Sequence, residues 1–437
     1  MNKTCLCSKI ILSIFCFLIW MSTAFAESLE VAWRISLDCD YRLKAAGESV
    51  AAAEENLSAA KSLRMPSLKG EATYARLNET PEAEISLPHF PLLISPLLKD
   101  DSYLISNLTV SIPLFTSGRI SNSIDSAAFT VKANQEDASK TFQDIKLQVA
   151  EAYISVLRAL KLQEVTQGNV RSLAAHETDV TRMFQEGLVS KNDVLSVSVA
   201  LADARQMALQ AENKVEMAKA TYNRLLRRPL SAAVDLDNLN PAYLADIASH
   251  QSYDALIVMA LENRSEIKGL ANLASAYHAS AKSVQATALP QILASGSYYH
   301  FDQMILSENN YWQAGLMLQW NIFDGGVIRH KARAEERKKL AVENQKMETE
   351  SQIELQVRQA WLDSQETVKR IGVSEQALNQ AEENLNVTKS RYTQEIGNNT
   401  EVLDAETLRI KSQSNYTNAV YDAILADYRL KRAVGNL

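Results

Sequence analysis

Two hydrophobic patterns run along this chain. Over long stretches apolar residues recur every three or four positions. Ile145, Val149, Ala152 and Val156 step by 4, 3 and 4, the seam of a packed or coiled helix. Over two short stretches the period is two. In 104–114, Leu104, Leu108, Val110, Ile112 and Leu114 alternate with Ile105, Asn107, Thr109, Ser111 and Pro113. In 312–322, Trp312, Ala314, Leu316, Leu318, Trp320 and Ile322 alternate with Gln313, Gly315, Met317, Gln319 and Asn321. Such segments read as strands with one apolar face. Their expected partners are 67–77 and 291–306.

Proline placement separates the patterns. None of the nine prolines falls between 114 and 228 or after 290. A proline inside a helix costs ~3 kcal/mol, so both stretches read as long helices. A helix over 118–186 would be roughly 100 Å long at ~1.5 Å per residue. That suits a structure crossing a periplasm, or a free coiled-coil rod.

The two patterns repeat. SIPLFTSGR (111–119) matches QWNIFDGGV (319–327) at an offset of 208, which also takes Ile145 to Ile353, Tyr153 to Trp361 and Val194-Leu195 to Val402-Leu403. RMPSLKGEATY (64–74) matches ALPQILASGSY (288–298) at an offset of 224. The first copy therefore carries extra residues between its strands, most simply in the proline-rich stretch 80–101. The expected layout is a first repeat over 27–228, a linker over 229–250 and a second repeat over 251–437. Strands are expected at about 67–80, 102–115, 291–306 and 311–323. Long helices are expected at about 118–186, 190–227, 326–394 and 400–434.

The first 26 residues read as an export signal: basic Lys3 and Lys9, an apolar run from Ile10 to Trp20, and a small-residue cleavage site, Ala24-Phe25-Ala26. The run is too short to span a bilayer, and no later stretch approaches the ~20 apolar residues a membrane helix needs. Cys16 is a poor lipidation site because bulky Phe15 precedes it. Cys39 is the one cysteine beyond the signal, which excludes an internal disulfide. Loss of Lys3 and Lys9 makes the net charge of −7 more negative still, and no basic stripe suited to nucleic acid is present.

Tyr74, Tyr103, Tyr298, Tyr299, Tyr311, Trp312 and Trp320 gather around the strands and fit an interfacial girdle of a membrane barrel. Four strands cannot close such a barrel, which needs about eight or more, and open edges are not tolerated in lipid. Several chains must share one barrel.

The duplicated pieces MPS and LPQ, IPLFTSGR and WNIFDGG, the tips FQEGLVSKNDVL and RYTQEIGNNTEVLDAE, and the closing DYRLKRAVG together resemble the TolC-like outer-membrane efflux proteins, over essentially all of the mature sequence. The resemblance implies a mainly α fold with membrane β. Two strand–helix repeats per chain would form a trimer, with a shared twelve-stranded β-barrel over a long α-helical tunnel. It also implies an equatorial belt, to which the linker and the C-terminal end would contribute. The implied partners are outer-membrane lipid, a periplasmic adaptor (membrane fusion) protein and an inner-membrane pump of the RND, ABC or MFS type. The implied location is the outer membrane of a Gram-negative bacterium, with no cofactor and no catalysis.

The tunnel should close where the long helices turn. The first turn is Gly187-Leu188-Val189-Ser190 and the second Ile396-Gly397-Asn398-Asn399-Thr400, with glycine able to take positive φ and serine to cap the next helix. Leu188 and Val189 are expected to be exposed as an adaptor contact; ordinary turn packing is the plain alternative. By resemblance, Glu401 and Asp404 form an acidic ring at the pore constriction. The alternative is a solvated pair of helix N-terminal acids. Asp193 matches an acidic residue of the closed state, but the second turn offers no obvious basic partner for it. Glu395 stands where the family usually has glycine, which leaves the shape of that tip open. The six histidines show no metal spacing. Asp235-Leu236-Asp237 is too short for a calcium loop, and Gly325-Gly326 lacks the spacing of a phosphate loop. No nucleophile–base constellation is found. The competing reading is a coiled-coil scaffold without a pore, which gives no reason for aromatic-rich alternating strands.

Overall fold

The computed structural model describes residues 26–85, 93–238, 252–302 and 308–437. The expected signal up to residue 25 and residues 239–250 of the expected linker lie outside them, as do the loop prolines Pro88 and Pro91 and the last residues of the expected 291–306 strand.

In chain order the elements are α1 Leu29–Cys39, α2 Tyr41–Ser62, β1 Ser67–Arg76, β2 Glu82–Ile85, β3 Leu93–Pro96, β4 Ser102–Phe115, α3 Arg119–Gln185 and α4 Lys191–Leu225. Next come α5 Tyr253–Asn263, α6 Ser265–Ala286, β5 Gln291–Asp302, β6 Asn310–Gln319, α7 Val327–Thr393 and α8 Asn399–Ala433. The chain is two copies of one unit. α1, α2 and β1 begin 224 residues before α5, α6 and β5; β4, α3 and α4 begin 208 residues before β6, α7 and α8. Both α3 and α7 hold 67 residues, and both α4 and α8 hold 35. The offset changes between the paired strands, where the first copy adds the hairpin β2–β3.

Contacts divide the chain into two compact units. One comprises residues up to 44, 142–263 and 353–437; the other comprises 45–141 and 264–352.

The first unit is helical. Its core gathers Leu29 and Ala32 of α1, Ile145, Val149, Tyr153 and Val156 of α3, Tyr222 of α4, and Ile424 and Tyr428 of α8. The rings of Tyr153 and Tyr222 meet edge to face at 6.1 Å, as do Trp33 and Tyr428 at 5.9 Å. Burying such aromatic pairs on four helices is a main source of stability here. Glu27 is tied into this unit. Its N–H donates to Asp235 O (2.9 Å), its carbonyl accepts from Asp237 N–H (3.1 Å) and the Tyr153 hydroxyl (2.8 Å), and its carboxylate holds Arg228 bidentately (2.8 and 2.9 Å).

The second unit contains a four-stranded antiparallel sheet in the order β1-β4-β5-β6. In register, Tyr74 faces Leu104, Leu108 faces Tyr298, and Tyr298 faces Trp312. Successive strand residues point to opposite faces. One face therefore carries Leu68, Tyr74, Leu104, Leu108, Val110, Tyr298, Trp312, Leu316 and Leu318. It is strongly exposed, with Trp312 at 76% and Leu316 at 73%. The other face carries Tyr103, Tyr299 and Tyr311. The seven aromatics expected as one girdle thus divide between faces, because Tyr298 and Tyr299 are neighbours in a period-two element.

The strand at Ser102–Phe115 has the expected bounds, while two others are shorter. β6 stops at Gln319 rather than 323, because its ladder partner Gln291 follows Pro290, which has no N–H to donate. β1 stops at Arg76 rather than 80, where the chain turns and Leu77 N–H bonds Asp101 O at 2.7 Å. Helix α4 ends at Leu225 rather than 227, since Arg227 is left-handed (φ 57°).

Each strand-to-long-helix junction needs two consecutive left-handed residues. They are Ser117 and Gly118 (φ 52° and 86°) in the first copy, and Gly325 and Gly326 (φ 68° and 87°) in the second. In the second, Asp324 caps the helix by accepting from Gly326 N–H (2.8 Å) and Ile328 N–H (2.7 Å). Helices α3 and α6 lie close because the contact is made of small residues. Ser126 Oγ donates across to Ala276 O, and Ser283 Oγ to Arg119 O, both at 2.9 Å.

Candidate functional site

The expected site lies at the two helix turns, both in the first unit. Helix α3 ends in a left-handed cap: Gly187 (φ 77°) donates to Phe184 O and Leu188 to Met183 O (3.0 and 2.9 Å). This bond pair is the Schellman motif. Helix α7 ends with the same pair, Glu395 to Tyr392 O and Ile396 to Arg391 O (3.0 and 2.9 Å). Glu395 takes φ 62° although it is not glycine. The turn shape is the same in both copies, with backbone strain at the second. Gly397 sits in a tight place: a Cβ there would lie 3.3 Å from Tyr392 N, so the neighbour would have to give by a few tenths of an ångström.

Ser190 caps α4, accepting from Asp193 N–H (3.2 Å), while Asp193 Oδ2 accepts from Ser190 N–H and Oγ–H (3.0 and 2.7 Å). This is a capping box, so the Asp193 carboxylate folds back on its own turn. Asn398 caps α8 by accepting from Glu401 N–H (2.9 Å). Glu401 also lies 3.4 Å from the Arg391 guanidinium. Asp404 is exposed; Val402 and Ala405 point inward. Glu401 and Asp404 thus share the side of α8 turned away from its buried seam.

The two tips also differ from expectation in what they expose. Leu188 is 50% and Ile396 67% exposed. Val189 is turned inward onto Val180, Val197 and Val402. Its side chain follows the packed seam rather than the turn's outer surface.

Beside the turns lies a buried polar network that sequence reasoning missed. Glu406 of α8 is 2% exposed. It accepts from Lys389 of α7 (2.6 Å) and Arg409 (3.1 Å), and makes a short hydrogen bond from Ser172 of α3. Burial alone would raise the Glu406 carboxyl, but the bonds from Lys389 and Ser172 and the charges of Lys389 and Arg409 hold it below the usual glutamate range. His176 of α3 pairs with Asn399 Oδ1 at 2.8 Å. Asn399 Nδ2 donates to Asp193 O (3.2 Å), so the Asn399 oxygen must be the acceptor and His176 Nε2 the donor. Burial pushes the His176 pKa down. Tyr392 stacks edge-on against His176 at 5.4 Å. The network joins all four long helices, and a groove of about 350 Å³ opens beside it. The available signal was a charged residue on a buried stripe: Glu406 comes one turn after Val402, and His176 lies between Leu173 and Val180.

Among the described residues no helix is long and apolar enough to cross a membrane, and no group of three or more His, Cys, Asp or Glu side chains is placed to hold a metal ion. The membrane-suited element is instead the sheet with its exposed apolar face and its two outer strands, β1 and β6. Sheet and paired long helices in duplicate define a class, the subunit of an outer-membrane channel. The chain belongs to the outer membrane efflux protein family, whose profile matches residues 36–226 and 256–436. It is an outer-membrane efflux channel protein; family and fold are those of channels rather than enzymes.

Among solved structures, the chain is similar to the outer membrane protein VceC of Vibrio cholerae (19% identity, 93% of this chain and 96% of that one, TM-score 0.78). It is also similar to the CmeC outer membrane channel of Campylobacter jejuni (14%, 93% and 85%, 0.76). A third is the MtrE outer membrane channel of Neisseria gonorrhoeae in its open state (17%, 93% and 88%, 0.74). No curated protein matches by sequence.

Proposed function

We propose that three copies of this chain form a passive exit duct. Each would contribute four strands to a twelve-stranded barrel in the outer membrane, with the long helices forming a periplasmic tunnel. The observation that carries this reading is the sheet: four strands, an apolar exposed face, and outer strands that have no further neighbour among the described residues. Unpaired edges cannot stay open in lipid, so copies must pair β6 with β1. The repeats are taken as 27–228 and 251–437 with 229–250 between them. In this reading the exposed Leu188 and Ile396, with Gly187, Ser190, Gly397 and Asn398 shaping the turns, meet a periplasmic adaptor that links the channel to an RND, ABC or MFS pump. Glu401 and Asp404 from three chains would ring the closed end, and Asp193 would brace the first turn beside it.

Detergent-extracted protein should be trimeric and conduct in planar bilayers. A monomeric, water-soluble mature protein would sink the proposal in favour of a scaffold. The Glu401→Ala/Asp404→Ala double variant should conduct more and resist block by divalent cations, because a carboxylate ring concentrates them. Unchanged currents would remove these acids from the constriction.

A further inference from the structure

The face of the sheet opposite the apolar one is mostly polar. Ser67 Oγ bonds Ser111 Oγ and Thr109 Oγ1 bonds Ser297 Oγ, both at 2.9 Å. Lys69 and Glu71 form an ion pair on it. Charges and hydroxyls at membrane depth belong on the lumen side, because facing lipid would cost several kcal/mol. In a three-chain channel this face therefore lines the pore.

One part of it breaks the pattern. Tyr299, Phe301 and Tyr311 form a closed set of stacked rings. Centroids are 5.1 Å apart for Tyr299–Tyr311, 5.3 Å for Phe301–Tyr311 and 6.0 Å for Tyr299–Phe301. The interplanar angles are 24°, 11° and 18°. Ile105 pairs opposite Phe301 and extends the apolar patch. Lipid does not explain these rings, since they point away from the face that carries Trp312 and Leu316. Core packing does not explain them either: Tyr311 remains 45% exposed. A single Tyr299–Tyr311 cross-strand pair suffices to reinforce a hairpin end. Phe301 adds a third, nearly parallel ring and widens the stack. A wall of near-parallel rings, partly open to water, favours another flat π system, and its electron-rich faces favour positive charge.

We propose that Tyr299, Phe301 and Tyr311 are a binding station for planar aromatic cations on the pore wall, a role that depends on the chain forming a channel. A transported molecule of this class would stack there on its way through the barrel. The hydroxyl of Tyr299, which accepts from Gln313 Nε2 at 3.2 Å, orients its ring and is not needed for stacking.

The test is equilibrium binding of ethidium to detergent-extracted full-length protein, read by fluorescence. The Tyr299→Leu/Phe301→Leu/Tyr311→Leu variant keeps apolar bulk but removes the flat faces, and should bind roughly tenfold more weakly. The Tyr299→Phe/Tyr311→Phe variant keeps all three flat faces and should bind more tightly than the leucine variant. Tetraethylammonium, with the same charge and no ring, should not displace ethidium. Equal affinity of the leucine variant, or displacement by tetraethylammonium, overturns the station. Should the triple variant fail to extract as trimer, Tyr299→Leu alone gives the same reading, with a smaller loss. Conductance is measured on the same samples. A protein that conducts but shows no ring-dependent ethidium binding keeps the channel and loses the station. One that binds but never conducts loses the channel reading.

Discussion

The two tips share one plan and hold it differently. At equivalent places stand Gly187 and Glu395, Ser190 and Asn398, Asp193 and Glu401. The first tip is capped from within: glycine takes the left-handed cap without strain, and Ser190 and Asp193 satisfy each other. The second puts a glutamate into a left-handed conformation, and its acid is drawn toward Arg391. Its neighbour Asn399 is buried, where the first copy has exposed Lys191, and is gripped by His176. Both turns are capped locally, but the second leans more on residues outside it, through the grip of His176 on Asn399. A tip held from outside itself is the one that can be released from outside.

The largest break in this comparison should come from Glu406→Ala. It strands Lys389 and Arg409 beside a buried gap and should destabilise the first unit by about 3 kcal/mol. Hydrogen exchange should rise at the α7–α8 turn while the α3–α4 turn keeps its protection. Equal loosening of both turns would contradict the asymmetry.

A smaller effect should come from acidification. His176 is held neutral by burial, below the ordinary histidine value of about 6.5. From there downward the unfolded chain binds the proton and the folded one resists it, so stability falls with pH. The groups facing His176 are Asn399, Lys389, Glu406, Asp179 and Tyr392. Glu406 also has a lowered pKa, but its contribution disappears only as pH falls below the ordinary carboxylate range, at about 4.3. Denaturation midpoints of His176→Gln should therefore lose the pH dependence just below 6.5 and keep the acid limb. A full slope in the variant would assign it to another group.

The smallest effect should be a gain. Glu395→Gly relieves a left-handed side chain, which costs roughly 1 kcal/mol, against the added flexibility of glycine. The variant should be at least as stable as the parent, whereas Gly187→Glu at the first tip should lose about 1 kcal/mol. Thermal midpoints of the two variants decide this.

Much of this was legible because it rests on short-range rules. Pro66 and Pro290 end helices, Gly118 and Gly326 permit turns, and alternation over 104–114 requires a strand. The offset between copies brought out the rest of the plan. The division of Tyr298 from Tyr299 was also written in the alternation, and was obscured by grouping aromatics by closeness in sequence. The Ser172–Lys389–Glu406 cluster was not legible. Ser172 lies 217 and 234 residues from Lys389 and Glu406, and only the packing of three helices brings the members together.

The equal lengths of α3 and α7 carry one last consequence, for the tolerance of insertions and deletions. Removing one residue turns everything beyond it by about 100°, which would swing the buried stripe of that helix into water. A loss of seven from one helix nearly restores the phase but leaves one hairpin two turns shorter than the other. Only matched losses from both helices keep stripe and turns together. Point changes on the exposed faces of these rods alter neither phase nor length, and so cost far less.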